Sequence, residues 1–165
     1  MTGTAINTEL ALRLEHLRRV VTKECFYLMY TVEKLSQIDP QFCWLNALEQ
    51  NADLTERLDA FVSRFCRLQD TLGDKLLPVY LRMQLEPIGT VLDNLNRAEK
   101  LGLVPSVADW VEARSLRNNL VHEYTEDMDL LRQSILRALE LVPMLEAVTE
   151  KLCQESKSQP WPTSP

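Results

Sequence analysis

"TELALRLEHLRRVVTKECFYLMYTVEKLSQ", residues 8–37, decides the fold class. Leu10, Leu14, Leu17, Val21, Leu28, Val32 and Leu35 fall on multiples of three and four residues. That is the helical period with a single apolar stripe, and it carries none of the every-second-residue alternation of a half-buried strand. Arg13, Arg18, Arg19, Lys23 and Lys34 lie off the stripe and read as a solvated face, with His16 among the surface residues. Pro40 disfavours helical geometry at Asp39, so this helix is expected to end at "QIDPQ".

The same period recurs downstream. A break near "QNAD" precedes a stripe of Leu58, Phe61, Val62, Phe65, Leu68 and Leu72. Asp53 is the expected N-cap of that helix, with Glu56 three residues on completing a capping box, and Gly73 the expected C-cap. The next helical region contains Pro78 and Pro87 and is expected to kink or break near each; Gly102 and Pro105 close it. Ser106 then caps a helix with Asp109 in its first turn. A last helix is expected from about Thr125, its positive N-terminal end met by Glu126, Asp127 and Asp129. It runs to about Glu155 with a kink at Pro143. The expectation is an all-α, up-and-down bundle of four or five helices over residues 1–155. The tail, residues 156–165, is rich in Pro and Ser and is expected to be disordered, Trp161 included.

Composition agrees with one domain: 165 residues, 45% apolar, 25% charged and only four Gly. A net charge of −6 argues against a generally basic nucleic-acid binder, so any such site must be a local patch. Cys25, Cys43, Cys66 and Cys153 form no C-x-x-C pair, which reads as reduced thiols of a cytoplasmic protein rather than a zinc site. The N-terminus lacks a basic segment followed by an apolar run, and "CFYLMYTV" is too short to span a bilayer. No metal, cofactor or membrane is called for.

The chemistry is concentrated in "ARSLRNNLVHEYTED", residues 113–127. Asn118 and His122, four apart, share one helix face; Arg114, Arg117 and Tyr124 share a neighbouring one. Leu116, Leu120 and Val121 are the expected anchors to the core. A guanidinium offers a donor fork matched to phosphate, and an imidazole titrates near neutrality. Together they suit attack by a ribose 2′-hydroxyl on its own phosphodiester, which RNA permits and DNA does not. Two proton-transfer groups are normally wanted, and an isologous dimer would bring two copies of His122 to one cleft.

"RNNLVHEY" resembles the R-x4-H-x-Y motif of the HEPN superfamily, in particular the HepT-like toxins, at Arg117, His122 and Tyr124 and in the polar Asn118 after the arginine. The resemblance implies a metal-independent endoribonuclease, the toxin of a type II toxin–antitoxin pair, with its composite site at a homodimer interface. Arg117 would hold the scissile phosphate, with Arg114 supporting it. His122 would move protons, and Asn118 would orient substrate or imidazole. The implied partner is an MNT-type nucleotidyltransferase antitoxin that adenylylates Tyr124, adding bulk and negative charge where RNA phosphate must lie. The alternative is a nucleotide-binding subunit beside a nucleotidyltransferase, without nuclease activity. A third is a structural adaptor.

Overall fold

The computed structural model describes residues 2–121 and 127–158. Among these described residues six α-helices follow in order: α1 (Thr2–Ile38), α2 (Ala52–Asp70), α3 (Leu77–Met83), α4 (Val91–Lys100), α5 (Val107–Val121) and α6 (Met128–Ser158). A 3-10 segment, Cys43–Gln50, precedes α2, and a π-helical turn, Thr71–Leu76, joins α2 to α3. Among the described residues there is no strand.

The first stripe does what its spacing requires. Leu14, Leu17, Val21, Leu28 and Leu35 are buried, and α1 packs along α2 and α6. The helix stops at Ile38, where Pro40 removes helical freedom and the Asp39 carboxylate accepts from the backbone N–H groups of Gln41 (2.9 Å) and Cys43 (3.0 Å). On α2, Leu54, Leu58, Phe61, Phe65 and Leu68 continue the core. Its N-cap is Asn51, not Asp53. Asn51 holds the extended backbone a cap needs, and its side chain accepts from Leu54 N at 3.2 Å, leaving Asp53 in the first turn.

Gly73 departs from expectation in an instructive way. It ends no helix; it sits buried inside the π-turn, where a Cβ would lie 3.0 Å from Trp110 Cζ2. Glycine is there for close approach, not for a left-handed cap. The widened turn also accommodates Pro78. Leu77 N bonds to Leu72 O, five residues back, so the ladder has already shifted when Pro78 enters the first turn of α3, where its missing N–H costs little. Past α3 the chain breaks, with Leu85 left-handed, before Thr90 and Asp93 form a reciprocal capping box for α4. Gly102, at φ 71°, closes α4 as expected, with Leu103 N bonding back to Ala98 O at 2.8 Å.

Ser106 caps α5 by accepting from Asp109 N at 3.1 Å. Trp110, Ala113, Leu116 and Leu120 form its buried face. The last helix begins at Met128, with the Asp127 side chain accepting from Leu130 N at 3.0 Å; Thr125 and Glu126 lie outside the described residues. Pro143 lies within α6 without ending it, and α6 runs to Ser158, three residues past the expected end of the domain. Trp161 and the rest of the tail lie outside the described residues. Arg137 ties α6 to α5 by a two-pronged bond to Glu112, Nε–Oε1 2.8 Å and Nη2–Oε2 2.7 Å. Among the described residues, no helix is long and apolar enough to cross a membrane.

Candidate functional site

The outward face of α5 meets the far end of α2. Arg114 and Arg117 are one turn apart, and Asp70 and Asp74, also one turn apart, face them across the groove. Arg117 Nη1 donates to Asp70 Oδ1 at 2.9 Å, and Arg114 Nη1 donates to Asp74 Oδ1 at 2.8 Å. The two rungs bridge α5 to the end of α2 and to the π-turn. The Arg117 side chain keeps 41% of its surface exposed. One of its five N–H groups thus serves Asp70 while the guanidinium stays reachable from solvent.

A buried relay sets Asp70. Gln69 is completely buried, and in the amide orientation that satisfies both ends its oxygen accepts from Trp110 Nε1 and its nitrogen donates to Asp70 Oδ1, each at 3.2 Å. Trp110, Gln69, Asp70 and Arg117 therefore form one chain of contacts from core to surface. Burial pushes the Asp70 carboxyl above the ordinary carboxylate value; Asp74 adds to the rise and Arg117 opposes it without cancelling it. The Cys66 thiol is pushed up to about 11, chiefly by burial. It is a packed, poorly nucleophilic sulfur.

Arg117 lines a groove of about 460 Å³ together with Ser63, Cys66, Arg67, Asp70 and Lys75. Arg67 and Lys75 are the other cations here, and Arg64 lines the adjoining groove with Lys23, Glu24 and Tyr27. Arg114 is bound to Asp74 beside the groove. Asn118 is exposed one residue beyond Arg117. Leu116 and Leu120 are buried anchors as expected. The Val121 side chain, His122 and Tyr124 lie outside the described residues. His16 is exposed on α1, and Arg18 pairs with Glu15 on the same helix. Among the described residues, no group of three or more His, Cys, Asp or Glu side chains is placed to hold a metal ion.

Reading the sequence for cations and histidine missed the acidic half of this site. Asp70, Asp74 and Gln69 belong to "RFCRLQDTLGDK", residues 64–75, which reads as a core stripe with a capped end. The available signal was the polar spacing of Arg67, Asp70 and Asp74 on the side opposite Phe61, Phe65, Leu68 and Leu72. In comparisons with known proteins, no family model, no curated protein and no solved structure matches the chain.

Proposed function

We propose that this protein is a HEPN-type endoribonuclease of the HepT-like kind, working without a metal ion as a homodimer. It is the toxin of a type II pair whose antitoxin is a small nucleotidyltransferase. The observation that supports this most is Arg117. It stands in an R-x4-H-x-Y pattern at the end of α5, and its guanidinium faces a groove shared with Arg67 and Lys75. A phosphodiester entering that groove meets three positive side chains within a chain of net charge −6.

In the reaction, a ribose 2′-hydroxyl attacks its 3′-phosphorus and loses its proton to one His122 imidazole. The bond to the 5′-oxygen breaks, and that oxygen takes a proton from the imidazolium of the second copy. The products are a 2′,3′-cyclic phosphate and a 5′-hydroxyl end. Arg117 stabilises the charge gathering on the non-bridging oxygens, Asn118 orients substrate or imidazole, and Arg114, bonded to Asp74, supports Arg117 from beside the groove. The pair with Asp70 orients Arg117 while leaving its other donors for phosphate. Adenylylation of Tyr124 would silence the site by charge and bulk.

The test is cleavage of single-stranded RNA by the purified chain in the presence of a chelator. Wild type is expected to cut, and Arg117→Ala and His122→Ala to lose about 100-fold or more in rate. Variants that cut like wild type overturn the assignment. Intact RNA with calorimetric binding of a free nucleotide selects the alternative, a nucleotide-binding subunit. Full activity from a monomer removes the composite site.

A further inference from the structure

A second groove, of about 340 Å³, runs between α1 and α2 and meets the first at Arg67, which lines both. Its floor is built around a fixed aromatic–guanidinium stack. The Arg64 guanidinium lies 5.6 Å from the centre of the Tyr27 ring. It is held there by bonds from Nη1 to Tyr27 O (3.1 Å) and to the Thr31 hydroxyl. Tyr27 nevertheless leaves half its surface exposed. Lys23 and Arg67 line the same groove beside this stack. Across the two grooves together, five cationic side chains oppose three carboxylates, Glu24, Asp59 and Asp70. Two of those three carboxyls, Glu24 and Asp70, are partly withdrawn from water, and burial pushes both above the ordinary carboxylate value. Among the described residues, no carboxylate lies in ion-pair range of Lys23, Arg67 or Lys75. The chain as a whole is acidic, so this concentration of positive charge is local.

We infer that the two grooves are one continuous track for single-stranded RNA, running from Arg117 past Lys75 and Arg67 to a base-stacking station at Tyr27 and Arg64. Lys75, Arg67 and Lys23 meet successive phosphates. The planar phenol and guanidinium offer π-faces to an unpaired base, the arrangement that holds single strands without demanding a sequence. A duplex does not fit this recognition, because its bases are already stacked. The inference rests on the ribonuclease reading for the direction of the strand, but it places binding determinants on α1 and α2, outside the R-x4-H-x-Y motif.

The experiment measures fluorescence anisotropy of a labelled RNA of about 12 nucleotides, single-stranded or annealed, on the full-length His122→Ala chain, which keeps the strand uncut. Expected is tighter binding of the single strand than of the duplex. Reversing Lys23 and Arg67 together to Glu should weaken it at least about tenfold and lower the log–log salt slope by about 1.4, the worth of two single-strand phosphate contacts. Tyr27→Ala should weaken it about fivefold or more at any salt. Lys23 and Arg67 are exposed, so circular dichroism should show unchanged helicity. Binding that survives both changes within about twofold overturns the track. So does equal affinity for the duplex, or a Lys23/Arg67 variant whose only change is loss of self-association in sedimentation. Cleavage is scored separately on the His122-bearing chain. RNA held by the track but never cut sinks the ribonuclease reading and keeps the track; RNA cut normally by the track variants does the reverse.

Discussion

Helix α5 has two faces with opposite duties. Its inner face is Trp110, Ala113, Leu116 and Leu120, each under a tenth exposed. Its outer face is Arg114 and Arg117, both about 40% exposed and each matched to one aspartate. The inner face is held by burial, at roughly 1.5–3 kcal/mol per large side chain. The outer pairs are solvent-screened and contribute on the order of 0–1 kcal/mol each. Stability thus comes from one side of the helix, and the side proposed to do chemistry contributes little of it. What joins them is Gln69, which bonds the indole of the inner face and the carboxylate of the outer one.

The sharpest break of this contrast is a pair of truncations. Trp110→Ala removes a fully buried indole and orphans Gln69, so a loss of about 3–5 kcal/mol is expected, seen as a fall of roughly 6–20 °C in the thermal midpoint. Arg117→Ala should move that midpoint by no more than about 1 kcal/mol's worth while removing cleavage. Comparable losses from both would mean that the outer face is structural.

Next in size is Gly73→Ala. An alanine normally gains about 1 kcal/mol over glycine inside a helix. Here the added Cβ would stand 3.0 Å from the Trp110 ring, which is fully buried and bonded to Gln69 and so has little room to give. The contact wins, and a net loss of about 1–2 kcal/mol is expected by chemical denaturation. A stabilised variant would show that the indole is free to shift.

These two residues also mark what a sequence can disclose. The stripe from Leu14 to Leu35, the Ser106–Asp109 cap and the Gly102 stop are local, written in spacings of one to four residues, and they were legible. Asn51 in place of Asp53 is a two-residue ambiguity between two good caps. Gly73 is different: its reason is Trp110, 37 residues away, and no local pattern carries it. The site divides in the same manner. Arg117 and Asn118 stand in the motif, and the three-residue spacing of Arg114 and Arg117 anticipates their shared outer face. Their partners Asp74 and Asp70 lie 40 and 47 residues back, and only the docking of α5 on α2 and the π-turn brings them together.

The smallest effect is the most discriminating, because its sign is in dispute. A carboxylate 2.9 Å from a guanidinium is ordinarily held below its usual value, and such a group adds stability as pH rises. At Asp70, burial and Asp74 outweigh Arg117, so the folded value lies above the ordinary 3.8. Below 3.8 the group is protonated both folded and unfolded, and it contributes no pH-dependent stability difference. As pH rises through the window just above that, the unfolded chain ionises first and stability is lost until the folded carboxyl has also ionised. Asp70→Asn keeps the amide oxygen that Gln69 and Arg117 bond to but cannot titrate. Unfolding midpoints of the two proteins, followed between about pH 4 and pH 7, should therefore show wild type losing ground to Asp70→Asn as pH rises, then running parallel to it. Removing Arg117 takes away the largest of the fields that oppose burial, leaving Arg114 and Lys75, so the same comparison in Arg117→Ala should show a larger loss extending to higher pH. If wild type instead gains on Asp70→Asn with rising pH, the ion pair outweighs burial, and the outer face of α5 contributes more to the fold than its exposure implies.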